Sequence, residues 1–290
     1  MKGSHALTEA SLRTLASWLD ESDAVLIGAG SGLSADAGFD FGDERDFARR
    51  FPALAKQGFR SRAQFVGRDD LPPELRWAYY LDHVREVRFG AAPKPVYDDL
   101  LSLVRDRDYF VVTTNADGLF ERSGFDASRV TTPQGDYARW QCLTPCTRET
   151  WPTSELIERA LPKVDPSTGW LPEGEAPRCP RCGGDTFLNV RGGDWFVEEP
   201  YAEGWSRYRS WLASRASKRT LILDVGTGFN TPTWIRWPCE TLTRTHTGAR
   251  LARINLREPE VPADLGARAL AIGARPSEVF TRLLSRRAAA

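Results

Sequence analysis

Cys142-x3-Cys146 and Cys179-x2-Cys182 form two cysteine pairs separated by a long loop. Four thiolates in this arrangement suit tetrahedral Zn²⁺, and a closed four-sulfur site is structural because no coordination position is left for water. Gly183-Gly184 permits the tight turn after the second pair. Cys239 stands apart and reads as a small core residue. Just before the first pair lies Gln134-Gly135-Asp136. Glutamine neither takes nor gives up a proton near neutral pH, so its place beside a metal module asks for an explanation.

A second chemistry is written in glycine. Gly28-Ala29-Gly30-Ser31-Gly32 follows an apolar run and precedes a short helical stretch. Glycines there let backbone N–H groups approach a diphosphate, and a helix start favours its charge. Two further polar exits accompany it, Thr113-Thr114-Asn115-Ala116-Asp117 and Gly226-Thr227-Gly228. In an open parallel sheet, ligands bind beyond the carboxyl ends of the strands, so all three exits are expected to face one crevice and share one nucleotide.

The elements that must position these residues alternate. Thr8 caps a predicted helix over 8–20 with Leu12, Leu15, Ala16 and Leu19 on one side. Ala24 to Ile27 is a buried strand by composition, and "YFVVT" a second. "TLILDV", "ARLARINL" and the weaker "ARALAIG" follow as third, fourth and fifth. Helices are predicted between them: after Pro95 with Val96, Leu100, Leu101 and Val104; around Trp205, Tyr208 and Trp211; and from Pro276 through Leu284. The expected fold is α/β, an open parallel Rossmann-like sheet carrying a small zinc-ribbon module and a helical insertion. The expected division is 8–41, 92–133 and 200–288 for the nucleotide-binding part, 42–91 for the insertion (helical stripe Trp77, Tyr80, Leu81, Val84), and 134–199 for the zinc module, where little periodicity is visible.

Bulk properties narrow the partners. In 290 residues, 41% hydrophobic and 27% charged, the formal net charge is +0. Nothing global steers such a chain to nucleic acid or to an anionic membrane. No apolar run approaches the ~18 residues of a membrane span, and the N-terminal stretch lacks the apolar core of a secretory signal. Four clustered cysteines among five suggest a reducing, cytoplasmic setting.

The set of motifs, in this order, resembles the sirtuins. Gly30-Ser31-Gly32-Leu33-Ser34-Ala35-Asp36-Ala37-Gly38 is similar to the sirtuin NAD-binding loop, and Thr113 to Asp117 to the family's Thr-Gln-Asn-x-Asp strand end, with Thr114 in place of Gln. Gly226-Thr227-Gly228 resembles its Gly-Thr-Ser, Asn255 falls where sirtuins hold the adenosine ribose, and the cysteine pairs fall where their zinc ribbon lies. The resemblance implies NAD as co-substrate and a structural Zn²⁺. It implies an NAD site at Gly30, Ser31, Gly32, Leu33, Ser34, Asn115, Asp117, Gln134, Gly226, Thr227, Gly228 and Asn255.

Departures from the family redirect the expected reaction. Sirtuin deacylases carry a His-Gly whose His is the general base; here the position reads Gln134-Gly135, and the three histidines, His5, His83 and His246, lie elsewhere. The family's Pro-Asp-Phe-Arg is replaced by "FDFGDERDF", and its peptide-docking Phe-Gly-Glu by Phe196-Val197-Glu198. These changes resemble the macrodomain-linked, or class M, sirtuins. That group is described as protein mono-ADP-ribosyltransferases acting on a lipoyl-bearing carrier protein, with a macrodomain partner removing the mark. Asn115 and Asp117 are then expected to assist departure of nicotinamide, and Gln134 to orient the ribose through its amide. Asp136 and Tyr137 are the alternative acids or bases nearby, and Phe196-Val197-Glu198 is the alternative peptide edge. Competing readings are a deacylase with another base, an NAD glycohydrolase, and a non-catalytic NAD sensor.

Overall fold

The computed structural model describes residues 5–90 and 94–288. The expected boundary at residue 92 and the first four residues of the N-terminal stretch lie outside them. Helix α1, Glu9–Glu21, is capped by Thr8, which exchanges hydrogen bonds with Ser11 and leaves Leu12, Leu15 and Leu19 buried. Strand β1, Ala24–Ala29, is buried at every position and runs into α2, Ser31–Asp36. Three helices form the insertion: α3, Glu44–Arg50; α4, Pro52–Lys56; and α5, Pro73–Val87. Trp77, Tyr80, Leu81 and Val84 of α5 are buried, and so are six other residues of the helix. The stripe is wide because α5 is covered on more than one side, with Tyr79 stacked on Phe65 and Tyr80 edge-on to Phe187.

The chain returns through α6, Pro95–Val104, to β2, Tyr109–Thr113, then α7, Leu119–Arg122, and β3, Val130–Thr131. Next comes the ribbon: β4, Gly135–Cys142; β5, Trp151–Pro152; α8, Thr153–Ala160; and β6, Thr186–Val190. Helix α9, Ala202–Ala213, β7, Thr220–Val225, α10, Arg236–Thr245, β8, Ala249–Ile254, β9, Ala269–Ile272, and α11, Pro276–Ala288, complete the fold.

The large sheet has the order β3-β2-β1-β7-β8-β9, and every pairing in it is parallel. It holds six strands where five are legible in sequence. The extra strand, β3, is a two-residue edge, too short for any period to show. The zinc module is also more regular than its composition suggests: β4 pairs antiparallel with β5 and β6.

Chain direction across the sheet reverses at β1, which has β2 on one side and β7 on the other. The crevice beyond the carboxyl end of such a switch-point strand is where open α/β sheets bind ligands. Here the exits of β1 and β7 touch backbone to backbone. Gly30 N–H donates to Val225 O and Gly32 N–H to Gly226 O, both at 2.9 Å. A Cβ on Gly226, whose φ is +66°, would lie 2.4 Å from the Leu33 nitrogen. Gly226→Ala is therefore expected to cost about 2 kcal/mol or more. Thermal unfolding checks this; an unchanged melting temperature would contradict the close contact.

Candidate functional site

Beyond the switch point lies a cleft of 880 Å³, within the size range of small-molecule sites. Gly30, Ser31, Gly32, Ser34, Asn115, Asp117, Gln134, Gly226, Thr227, Gly228 and Asn255 all line it. One residue of the expected set does not: Leu33 is 0% exposed and belongs to the core beneath the loop. Its turn places Ser31 and Ser34 toward the cleft while its own side chain anchors α2.

Gly30 and Gly32 spend their N–H groups on Val225 and Gly226. What the cleft uses at these positions is the missing side chain more than a free amide. Asn115 is 7% exposed; its Nδ2 donates to Gly30 O (3.0 Å), tying the β2 exit to the β1 exit. Asp117 accepts from Ser34 Oγ (2.6 Å) and from Leu119 N–H (2.9 Å). Burial raises the Asp117 pKa above the ordinary carboxylate value, against the lowering effect of those two hydrogen bonds. Asn255 is fully engaged: Nδ2 donates to Thr227 O (2.8 Å), and Oδ1 accepts from the N–H groups of Arg257 and Glu258. It shapes the loop beside Thr227.

A buried charge network underlies that turn, and sequence reading missed it. Arg253 and Asp224, each with a fully buried side chain, form an ion pair at 2.7 Å. Arg253 also reaches Glu240 (2.8 Å), and the Thr227 hydroxyl donates to Asp224. Arg236 donates to the carbonyls of Thr227 and Glu258, each at 3.0 Å. Arg253 alternates with apolar neighbours in "ARLARINL", but nothing local signals that it meets Asp224 across two strands.

The groups able to exchange protons near Gln134 are each withdrawn. Gln134 is half-buried on the cleft wall, and its carbonyl accepts from Arg191 N–H (2.9 Å). Asp136 is held by Arg88 Nε (2.8 Å) and Nη2 (3.2 Å) and also accepts from Ala138 N–H. It is not among the cleft-lining residues. Tyr137 lines the cleft, but burial drives its pKa well above that of a free phenol, so it stays protonated. His83 lies behind Tyr137, ring to ring at 5.2 Å. Its Nδ1 sits 3.1 Å from the Arg62 guanidinium, a donor only, so Nδ1 accepts and the ring is neutral. Burial lowers its pKa well below the usual imidazole value. Among the described residues, no histidine lines the cleft.

The four cysteine sulfurs of the ribbon lie within 4.8 Å of one another. Cys142 and Cys182 are 3.7 Å apart, Cys146 and Cys179 3.6 Å. Zn–S bonds of about 2.3 Å in a tetrahedron require sulfurs separated by ~3.8 Å, so the donor set fits Zn²⁺. Arg181 N–H and Gly184 N–H point at Cys179 and Cys182 sulfurs, as donors to thiolates do. Strand β4 separates this cluster from Gln134 by roughly 20 Å or more at 3.3 Å per residue. A metal there organises the module and takes no part in chemistry at the cleft. Cys239 is buried beneath Gly28, as a core residue should be.

Fold and site define an α/β protein with a switch-point nucleotide crevice and a four-cysteine ribbon. The chain is 37% identical over 256 residues to the "Probable bifunctional ADP-ribose hydrolase/ADP-ribosyltransferase" of Fusarium oxysporum f. sp. cubense, covering 86% of this chain and 43% of that protein. It thus spans less than half of that relative. It is 29% identical over 273 residues to the "Protein ADP-ribosyltransferase" of Staphylococcus aureus (strain Mu50), covering 92% of this chain and 84% of the relative. Among solved structures, a complex of a Sir2 homologue with NAD superimposes with a TM-score of 0.63 at 21% identity, covering 96% of this chain and 95% of the other. No family profile matches. The chain has the fold of that Sir2 homologue.

Three outcomes are expected. Replacing Cys146 by Ser should release zinc and lower the melting temperature, because ligand binding and local folding are coupled; metal analysis finding no zinc in the unaltered protein would contradict the site. Asn115→Ala should slow nicotinamide release at least ~100-fold with the fold intact. For Asp117 the folded-state pKa lies above the unfolded one, so its protonation favours folding at low pH and this contribution is lost as pH rises through the folded value. Nicotinamide release should fall on acidification with a midpoint above the ordinary carboxylate range, and Asp117→Asn should remove that acid limb without lowering stability at neutral pH.

Proposed function

We propose that this chain is an NAD-dependent protein mono-ADP-ribosyltransferase of the macrodomain-linked sirtuin type. The observation that carries the reading is the composition of the cleft around Gln134: an ordered Asn115–Asp117 strand end on one side, and no available proton-exchanging base on the other. Both ADP-ribosyl transfer and deacylase chemistry begin with loss of nicotinamide from the ribose C1′. The C–N bond breaks, its electron pair goes to the pyridinium nitrogen, and C1′ gains oxocarbenium character. Asp117, once ionised, supplies negative charge near that carbon, and the Asn115 Oδ1, left over after Nδ2 is spent on Gly30, accepts from the nicotinamide side.

The two reactions part at the next step. A deacylase must deprotonate a ribose hydroxyl to move the acyl group, and a base near neutral pKa serves that step by about 10²–10⁴-fold. Gln134 cannot, Asp136 is engaged by Arg88, and Tyr137 stays protonated. A nucleophile on a partner protein can instead attack C1′ directly, forming the new bond with its own electron pair and losing its proton to solvent. Names carried by the fungal and staphylococcal relatives agree with this outcome. We further propose a lipoylated carrier protein as acceptor, a macrodomain hydrolase as the partner that reverses the mark, and a cytoplasmic setting. Among the described residues, no helix is long and apolar enough to cross a membrane.

Mass spectrometry of a lipoylated carrier and of an acetyl-lysine peptide, each incubated with NAD and enzyme, tests the reading. The carrier is expected to gain ADP-ribose and the peptide to remain acetylated. Efficient deacetylation beside an unmodified carrier would overturn it. Gln134→His is expected not to restore good deacylation by itself.

A further inference from the structure

Helix α6 carries one aromatic hydroxyl on its buried side. Tyr97 shares that side with Val96, Leu100 and Leu103 and is itself 0% exposed. Its ring sits edge-on to Phe120 of α7, with centroids 5.0 Å apart. A phenylalanine ring would make the same contact, so the hydroxyl asks for a reason. Among the described residues it makes no hydrogen bond. A buried hydroxyl in that state has lost its bonds to water and gained none in return.

The polar neighbours of this hydroxyl are Ser34, Asn115 and Asp117. Those three line the cleft and Tyr97 does not, so it stands one layer behind them. Bonding capacity is left over on two of the three. Ser34 Oγ gives its hydrogen to Asp117 and accepts from no described residue. Asn115 Nδ2 gives one hydrogen to Gly30 O and holds a second. Asp117 is already served by Ser34 and by Leu119 N–H. A phenol has one hydrogen to give and lone pairs to receive, which complements both open positions. Burial drives the Tyr97 pKa well above that of a free phenol, so the hydrogen is present to be given. Hydrogen bonds of a reacting site are often poorly aligned before ligand arrives and tighten in the complex.

We propose that Tyr97 is a positioning residue for nicotinamide departure: when nucleotide fills the cleft against Ser34 and Asn115, its hydroxyl donates to Ser34 Oγ and accepts the second Nδ2 hydrogen of Asn115. These two bonds set polarity. With Gly30 O and Tyr97 Oη both taking hydrogens from Nδ2, the Asn115 Oδ1 is the atom turned to the nicotinamide. With Tyr97 donating into Ser34 Oγ, the serine hydrogen stays on Asp117, and a chain of donors strengthens the bond to the ionised carboxylate. The inference rests on cleavage of NAD and holds whether the ribose is then captured by a protein nucleophile or an acyl oxygen. Other charges face Asp117 and remain when Tyr97 is changed. Arg88 lowers the Asp117 pKa and Asp136 of β4 raises it, while Arg122 of α7 and Tyr137 of β4 lie in the same field. Loss of the donor chain alone should therefore move the Asp117 midpoint upward.

Tyr97→Phe keeps the ring against Phe120 and removes only the hydroxyl. Nicotinamide release is followed across pH in the unaltered protein and the variant. The variant is expected to show kcat about 3- to 10-fold lower, KM for NAD within about twofold, and an acid limb displaced upward by about half a pH unit. An unchanged kcat and acid limb, or a loss confined to KM, would overturn the proposal. Melting temperatures give a second readout that needs no turnover. Without nucleotide the variant is expected to match or exceed the unaltered protein, because an unpaired hydroxyl has been removed. A clearly lower value would mean that the hydroxyl is bonded before nucleotide arrives, and would overturn the proposed sequence of events. A saturating non-cleavable carbocyclic analogue of NAD should then raise the melting temperature of the unaltered protein more than that of the variant; equal rises would overturn the proposal. No rise in either protein, with no nicotinamide released from NAD, would instead remove the NAD reading and the proposal with it.

Discussion

The backbone contact between the loops leaving β1 and β7 is the constraint on which the rest of the site depends. Gly30 and Gly32 approach Gly226 so closely that a Cβ on any of them would collide with main-chain atoms at 2.4–2.8 Å. Main chains come this near only where side chains are absent. The contact joins two exits that are far apart in sequence and adjacent in the sheet, and the two N–H···O bonds across it fix their separation. With that distance set, the Asn115 amide can span from β2 to Gly30 O, and Asn255 can span from β8 to Thr227 O. The cleft floor is therefore a chain of main-chain carbonyls held by side-chain amides. The fully buried Asp224–Arg253 pair lies below the Thr227 end. Burying two charges is unfavourable unless both are well partnered; here Thr227, Glu240 and the Glu260 carbonyl complete the set.

A second tie decides the proton chemistry. Arg88, at the end of α5, bonds Asp136 at the start of the ribbon and lies against Gly118, whose absent Cβ would meet its guanidinium at 2.4 Å. One side chain thus connects the insertion, the β2 exit beside Asp117, and the ribbon beside Gln134. Its consequence is subtractive: the carboxylate nearest Gln134 is spent on a guanidinium and kept off the cleft wall. With Tyr137 protonated and His83 neutral behind it, the titratable groups that follow Gln134 in the chain offer hydrogen bonds and no free base.

The ribbon contributes position. β4 begins at Gly135, whose φ of +98° and contact with Asn189 O no residue with a side chain could keep, and it ends at Cys142 in the four-sulfur cluster. A metal that fixes one end of the strand steadies Gln134 at the other by geometry alone. The same strand carries Gln141, whose amide is bonded to that of Asn189 on β6 at 2.6 Å, so the cluster and this buried amide pair act on one rigid piece.

The amino-acid sequence by itself determined the local and compositional features. Apolar runs that end in glycine or polar residues mark β1, β2, β7, β8 and β9. Helical stripes mark α1, α5, α6 and α11, the cysteine spacing marks the metal cluster, and glutamine at 134 marks a group that cannot exchange a proton near neutral pH. Each is legible because it depends on a residue's own chemistry or on neighbours within a few positions. Tertiary structure alone decided the rest: the edge strand β3, the burial of Leu33, the pairing of Arg88 with Asp136, the Asp224–Arg253–Glu240 network, and the clasp of Gln141 and Asn189 on Val197. The side-chain contacts among them join residues from 8 to 56 positions apart. Their worth depends on desolvation, which no residue carries in its type. Asp136 read in sequence is a free carboxylate and a candidate acid or base; folding places a guanidinium against it and leaves it out of the cleft lining.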